Sequence, residues 1–121
     1  MKKLRLTLTF LFSLLLIIAG INHFIHPGVY ASLIPGWLPL TATNYVTGMI
    51  ETALGVGLLF TASRRMAAIG TILLMVFFLP FHVYDVFRLH PAIGSTKLAL
   101  IRLPLQFLLI YWAWFLVPRA K

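Results

Sequence analysis

The side chains of this chain that could do chemistry are few, and they recur inside apolar segments. Glu51 is the one acid in the stretch Asn44 to Ala62, NYVTGMIETALGVGLLFTA. His82 and Asp85 stand at i and i+3, and Arg102 and Gln106 at i and i+4, so each pair shares a helix face. His23 lies near the end of an apolar run that begins at Leu6. Carboxylate, guanidinium and imidazole in such surroundings could form an ion pair, carry a proton or hydrogen-bond a ligand carbonyl. Glu51 and Arg102 have opposite charge and are expected to pair, with Asp85 as a further acid in reach. The same pair also reads as a structural clasp fixing helix register, or Arg102 as a snorkelling side chain. His23 and His82 read as proton carriers, as donors to a ligand, or as hydrogen-bonded core residues. No H-x-x-H or E-x-x-H element is present, and no metal is expected. With no cysteine, the chain cannot supply a disulfide or a thiolate ligand.

The segments that must position these groups are built for a bilayer. The chain has 121 residues and is 61% hydrophobic, with a mean hydropathy of +1.00. A soluble domain of this size has no interior large enough for that much apolar surface. The lipid bilayer is therefore its first partner. The net charge of +8 does not mark a nucleic-acid binder, because the basic residues sit at the ends of apolar runs rather than in one patch.

Four spans are expected, over residues 6–25, 44–62, 66–87 and 97–117, forming a single all-α four-helix membrane domain over 1–121. The first follows the basic head MKKLR and resembles a signal peptide, but it exceeds the usual apolar core of about 7–15 residues and lacks an A-x-A site. It is read as an uncleaved span. Pro27 ends it. The uncharged loop GVYASLIPGWLPLTAT follows, in which Pro35, Trp37 and Pro39 suggest a stiff interfacial segment against the membrane or over the bundle mouth. Gly48, Thr52 and Gly55 share the face of Glu51 and allow another helix to come close. Pro80 is expected to kink the third span.

Four spans place both termini on one side, with Lys2, Lys3, Arg5, Arg64, Arg65, Arg119 and Lys121; the other side holds Arg88 and Lys97. This bias makes both termini cytoplasmic. Glu51 then lies about 10 Å below the outer boundary, His82 about 9 Å and Arg102 about 7–8 Å, at 1.5 Å rise per residue. The polar side chains thus gather in the outer half of the bundle, and the inner half is left to Leu, Ile, Met, Phe and Ala.

The run AGINHFIHP, the loop IPGWLP, the E-x-x-x-G-x-G-L-L of Glu51 to Leu59, the Arg64-Arg65 turn and the LPFH of Leu79 to His82 resemble the DoxX-like family of small four-helix membrane proteins. The likeness covers roughly residues 17 to 88; the fourth span matches only in character. It implies a multi-pass protein of the bacterial inner membrane. Some relatives are subunits of thiosulfate:quinone oxidoreductase, and others associate with oxidoreductases or detoxifying enzymes. The motif positions it carries over are His23, Pro35, Trp37, Pro39, Glu51, Pro80 and His82. The expectation is an accessory or quinone-linked subunit, with electrons supplied by a partner oxidoreductase and no intrinsic cofactor. In that reading His23, Glu51, His82, Asp85, Arg102 and Gln106 form the ligand or proton site. The competing expectation is a non-enzymatic assembly partner or small transporter whose polar cluster is structural, with self-association left open.

Overall fold

The computed structural model describes residues 1–119 and is all-helical, with no strand among them. Four helices follow one another: α1 Lys2–Ile25, α2 Leu40–Leu59, α3 Arg64–Val86 and α4 Thr96–Leu116. A short 3-10 turn, Pro27–Val29, lies between the first two. α1, α3 and α4 are each long and apolar enough to cross a membrane. α2 has 20 residues and is more polar, with Thr41, Thr43, Asn44, Thr47, Glu51 and Thr52 along it.

The boundaries follow local chemistry. α1 begins at Lys2 rather than residue 6, so the basic head forms its first turn. α2 begins four residues before the expected start, because Pro39 occupies its N-cap at φ −66° and pre-sets the chain for helix. It stops at Leu59, and Arg64 covers its last carbonyls: Nε donates to Leu58 O at 2.8 Å and Nη2 to Leu59 O at 3.0 Å. α4 is capped by Ser95, whose hydroxyl accepts from Leu98 N.

Neighbours in sequence pack as neighbours in space, with α1 most intimate against α2 and α3 against α4. α2 also meets α3, and α1 touches α4 lightly. A small apolar core holds Phe12, Leu16, Leu58, Ala67, Ala68, Met75, Ala113 and Leu116. Most of these lie toward the end bearing both termini. Leu14, Ile18, Leu73, Phe77, Leu100 and Phe107 are exposed instead, the inverse of a soluble surface. The light contact between α1 and α4 includes Phe12 edge-on to Trp112 at 4.6 Å.

The close α1–α2 contact depends on missing side chains. A Cβ on Gly48 would lie 2.7 Å from Gly20 O and 2.9 Å from His23 Cβ. On Gly55 it would lie 2.7 Å from Ile17 Cγ1 and 2.9 Å from Ser13 O. Ser13 uses this proximity to donate its hydroxyl to Gly55 O. α1 is thus the helix that the small-residue face of α2 admits. Gly48→Val should lower stability by about 1–3 kcal/mol through forced separation. Gly28→Ala, where nothing lies within 4 Å, should be near neutral. Thermal melting in detergent compares the two.

Candidate functional site

His23 is the centre of the polar cluster between α1 and α2. It sits one turn after Gly20 on α1 and is 6% exposed. Its Nδ1 lies 2.9 Å from Asn44 Oδ1, and its Nε2 lies 3.4 Å from Glu51 Oε2. Tyr30 stacks on the ring at 3.7 Å with planes 17° apart. Asn22 Nδ2 in turn donates to the Tyr30 hydroxyl at 2.9 Å.

The orientation of Asn44 fixes the tautomer. Its Nδ2 donates to Pro27 O at 3.2 Å, so the atom facing His23 is an acceptor, and Nδ1 must carry a hydrogen. In a neutral imidazole, Nε2 then presents a lone pair to Glu51. Their contact is attractive only when a proton resides on Nε2 or on Oε2. Glu51 Oε2 is buried without a hydrogen-bond partner among the described residues, and His23 Nε2 is the chargeable atom nearest to it. His23 and Glu51 thus face each other across α1 and α2 at 3.4 Å.

The expected Glu51–Arg102 ion pair is not formed, and Asp85 does not share it. Glu51 lies on the stripe Asn44, Gly48, Glu51, Gly55 and Leu58, which faces α1. Arg102 belongs to α4, and among the described residues the contacts between a carboxylate and a basic side chain are His23–Glu51 and Arg88–Asp85. Similar depth did not imply proximity, because α2 and α4 are not packed partners.

Asp85 does other work. It is 2% exposed, and its carboxylate accepts from Ala92 N at 2.6 Å and Ile93 N at 3.3 Å. Arg88 Nη1 approaches it at 3.5 Å and also donates to Ser32 O at 2.7 Å. Asp85 thereby folds the α3–α4 loop, and Arg88 ties the proline-rich loop over the end of α3. Pro35 and Trp37 border a cavity of about 510 Å³ with Pro80, Phe81, Tyr84 and Arg88. Trp37 is 80% exposed, and Pro39 is the α2 cap described above.

Gln106 and Arg102 serve the α3–α4 side. Gln106 is fully buried, and its Nε2 donates to Met75 O at 2.6 Å, while its Oε1 finds no donor. Arg102 is half-buried, and its Nη1 is buried without an acceptor. His82, also half-buried, lies within electrostatic reach of both Arg102 and Asp85. The six candidate residues therefore divide into two sets: His23 with Glu51, and His82 with Asp85, Arg102 and Gln106. Asn44 and Tyr30 complete the first set without having been expected in it. Asn44 stands two turns before Glu51, a spacing that places it on the same face. Tyr30 reaches His23 only through the turn at Pro27, which leaves no periodic signal.

These features define a class: a small all-helical protein with three helices fit to cross a membrane and buried polar groups between its helices. More specifically, the chain belongs to the family described as a domain of unknown function, DUF8561, which matches residues 12–117. No curated protein and no solved structure matches the chain.

Two measurements follow from the geometry. Asp85→Ala should speed amide exchange at Ala92 and Ile93 and cost about 1–3 kcal/mol. In double-mutant cycles, His23→Phe with Glu51→Gln should couple by about 0.5–3 kcal/mol, whereas Glu51→Gln with Arg102→Gln should be additive within about 0.5 kcal/mol.

Proposed function

We propose that the chain is a four-span protein of the bacterial inner membrane, with both termini cytoplasmic, acting as an accessory subunit that holds a quinone for a partner oxidoreductase. The seven-to-two division of basic residues between the two ends supports the orientation. Close packing of α2 on α1, with Glu51 shielded by His23, supports α2 as the fourth span despite its polarity. The DoxX-like motifs support the link to an oxidoreductase.

The observation that carries the ligand reading is the buried Arg102 Nη1 without an acceptor. A buried guanidinium donor requires an oxygen. His82, on the facing helix α3, lies within electrostatic reach of Arg102 and offers an imidazole nitrogen. A buried guanidinium donor in apolar surroundings suits a ring carbonyl. A bound quinone would supply two-electron redox chemistry, with electrons exchanged through the partner. The chain's own part is positional: Arg102 and His82 orient the carbonyl, Gln106 fixes α4 against α3, and the α1–α2 cluster clasps the other half of the bundle.

A second reading, a non-enzymatic assembly partner, is favoured by the exposed Trp37 on its proline-framed loop. Purified protein titrated with a short-tailed ubiquinone analogue, followed by tryptophan fluorescence, separates the two. Arg102→Gln should weaken binding about tenfold or more, and Glu51→Gln should leave it nearly intact. Unchanged binding in Arg102→Gln and His82→Phe alike rejects the quinone site and leaves the assembly reading.

A further inference from the structure

The two ends of the bundle treat their arginines differently. At the loop end, Arg88 has the Asp85 carboxylate at 3.5 Å and the Ser32 carbonyl at 2.7 Å. At the end bearing the termini, Arg5 of α1, Arg65 of α3 and Arg119 after α4 line one cavity of about 300 Å³ with Trp114, Phe115 and Pro118. Three segments distant in sequence thus deliver three guanidinium groups to one place.

No acidic side chain of this protein can neutralise them. The sequence has two, Glu51 and Asp85; the first faces His23 within α2, and the second is committed to the loop at the opposite end. The local contacts orient the arginines without cancelling their charge. Arg5 lies over the Phe115 ring at 5.1 Å, and Arg65 Nη1 donates to Pro118 O at 3.1 Å. Each guanidinium has five N–H donors in a planar fork, and among the described residues the one side-chain hydrogen bond from these three arginines is Arg65 Nη1 to Pro118 O. Converging like charges repel, and a bound anion with several oxygens relieves that repulsion.

The surroundings indicate where such an anion comes from. Trp114 and Tyr111 are 59% and 60% exposed at the same end of α4, as in the aromatic belts at bilayer headgroup level. Basic pockets between membrane helices at this level take phosphate headgroups. We infer that the Arg5–Arg65–Arg119 cavity binds the phosphate headgroup of an anionic phospholipid, with the acyl chains along the apolar faces of α1 and α4. This site is separate from the His82–Arg102 region, and the inference rests only on the helices lying in a bilayer.

The test uses the full chain in non-ionic detergent, with native mass spectrometry counting bound lipid and thermal melting as a second readout. Phosphatidylglycerol should be retained and should raise the melting temperature, while phosphatidylcholine should do neither. Arg5→Gln with Arg65→Gln should weaken phosphatidylglycerol binding about tenfold or more. Lys2→Gln with Lys3→Gln removes equal charge outside the cavity and should change binding less than about fivefold. Arg119→Gln, on an exposed residue, should weaken binding while leaving the lipid-free melting temperature unchanged. Equal loss in the lysine pair, equal retention of phosphatidylcholine, or undiminished binding in Arg119→Gln overturns the inference. Displacement of lipid by millimolar inorganic phosphate overturns the lipid source and assigns the cavity to free phosphate. Resistance of the chain to carbonate extraction tests bilayer insertion by itself: a retained chain lacking headgroup selectivity sinks this site and leaves the spanning reading intact.

Discussion

A carboxylate inside an apolar helix must be met by a proton or a cation, and in this protein the approach of α1 to α2 decides which. Gly20 and Gly48 allow the two backbones to touch, and that contact brings His23 within 3.4 Å of Glu51. Asn44 sets the tautomer from one side, and Tyr30 covers the ring from the other. A burial cost that would otherwise expel Glu51 thus becomes a reason for α1 and α2 to remain in register.

The second half of the bundle is joined by different means. α3 and α4 share no His–carboxylate pair; the Gln106 side chain reaches the backbone of α3 at Met75 instead. Pro80 deprives the Val76 carbonyl of its helical donor, and the nearby Gln106 contact falls one residue earlier. Asp85 closes the loop between the two helices by accepting from two backbone N–H groups. Each half therefore has its own polar fastening, and Arg102 and His82 sit within the α3–α4 half.

Much of this was legible in the residues. Apolar runs of about bilayer length, punctuated by Pro27, Pro39, the Ser63 turn and Pro91, gave four helices with boundaries shifted by only a few residues. The small-residue face of Glu51 correctly announced a close neighbour. Depth reckoning failed at Arg102, because it ranks residues along the membrane normal and says nothing about which helices adjoin. Asp85 misled for another reason: its acid looked available to the interior, but a carboxylate at a helix end followed by Pro91 and Gly94 is drawn to the unpaired N–H groups of the loop. Tyr30 left no trace, since stacking across a turn has no period.

The contact of α1 with α4 has a character of its own. Phe12 meets Trp112 edge-on, Arg5 rests over Phe115, and among the described residues no side-chain hydrogen bond ties these helices together. The Trp112 indole nitrogen is buried without an acceptor. Ring contacts resist separation but tolerate sliding, whereas hydrogen bonds lose their energy within a few tenths of an ångström. Sliding of α1 along α4 is therefore opposed by the faces and edges of rings rather than by hydrogen bonds, unlike the separation of α1 from α2.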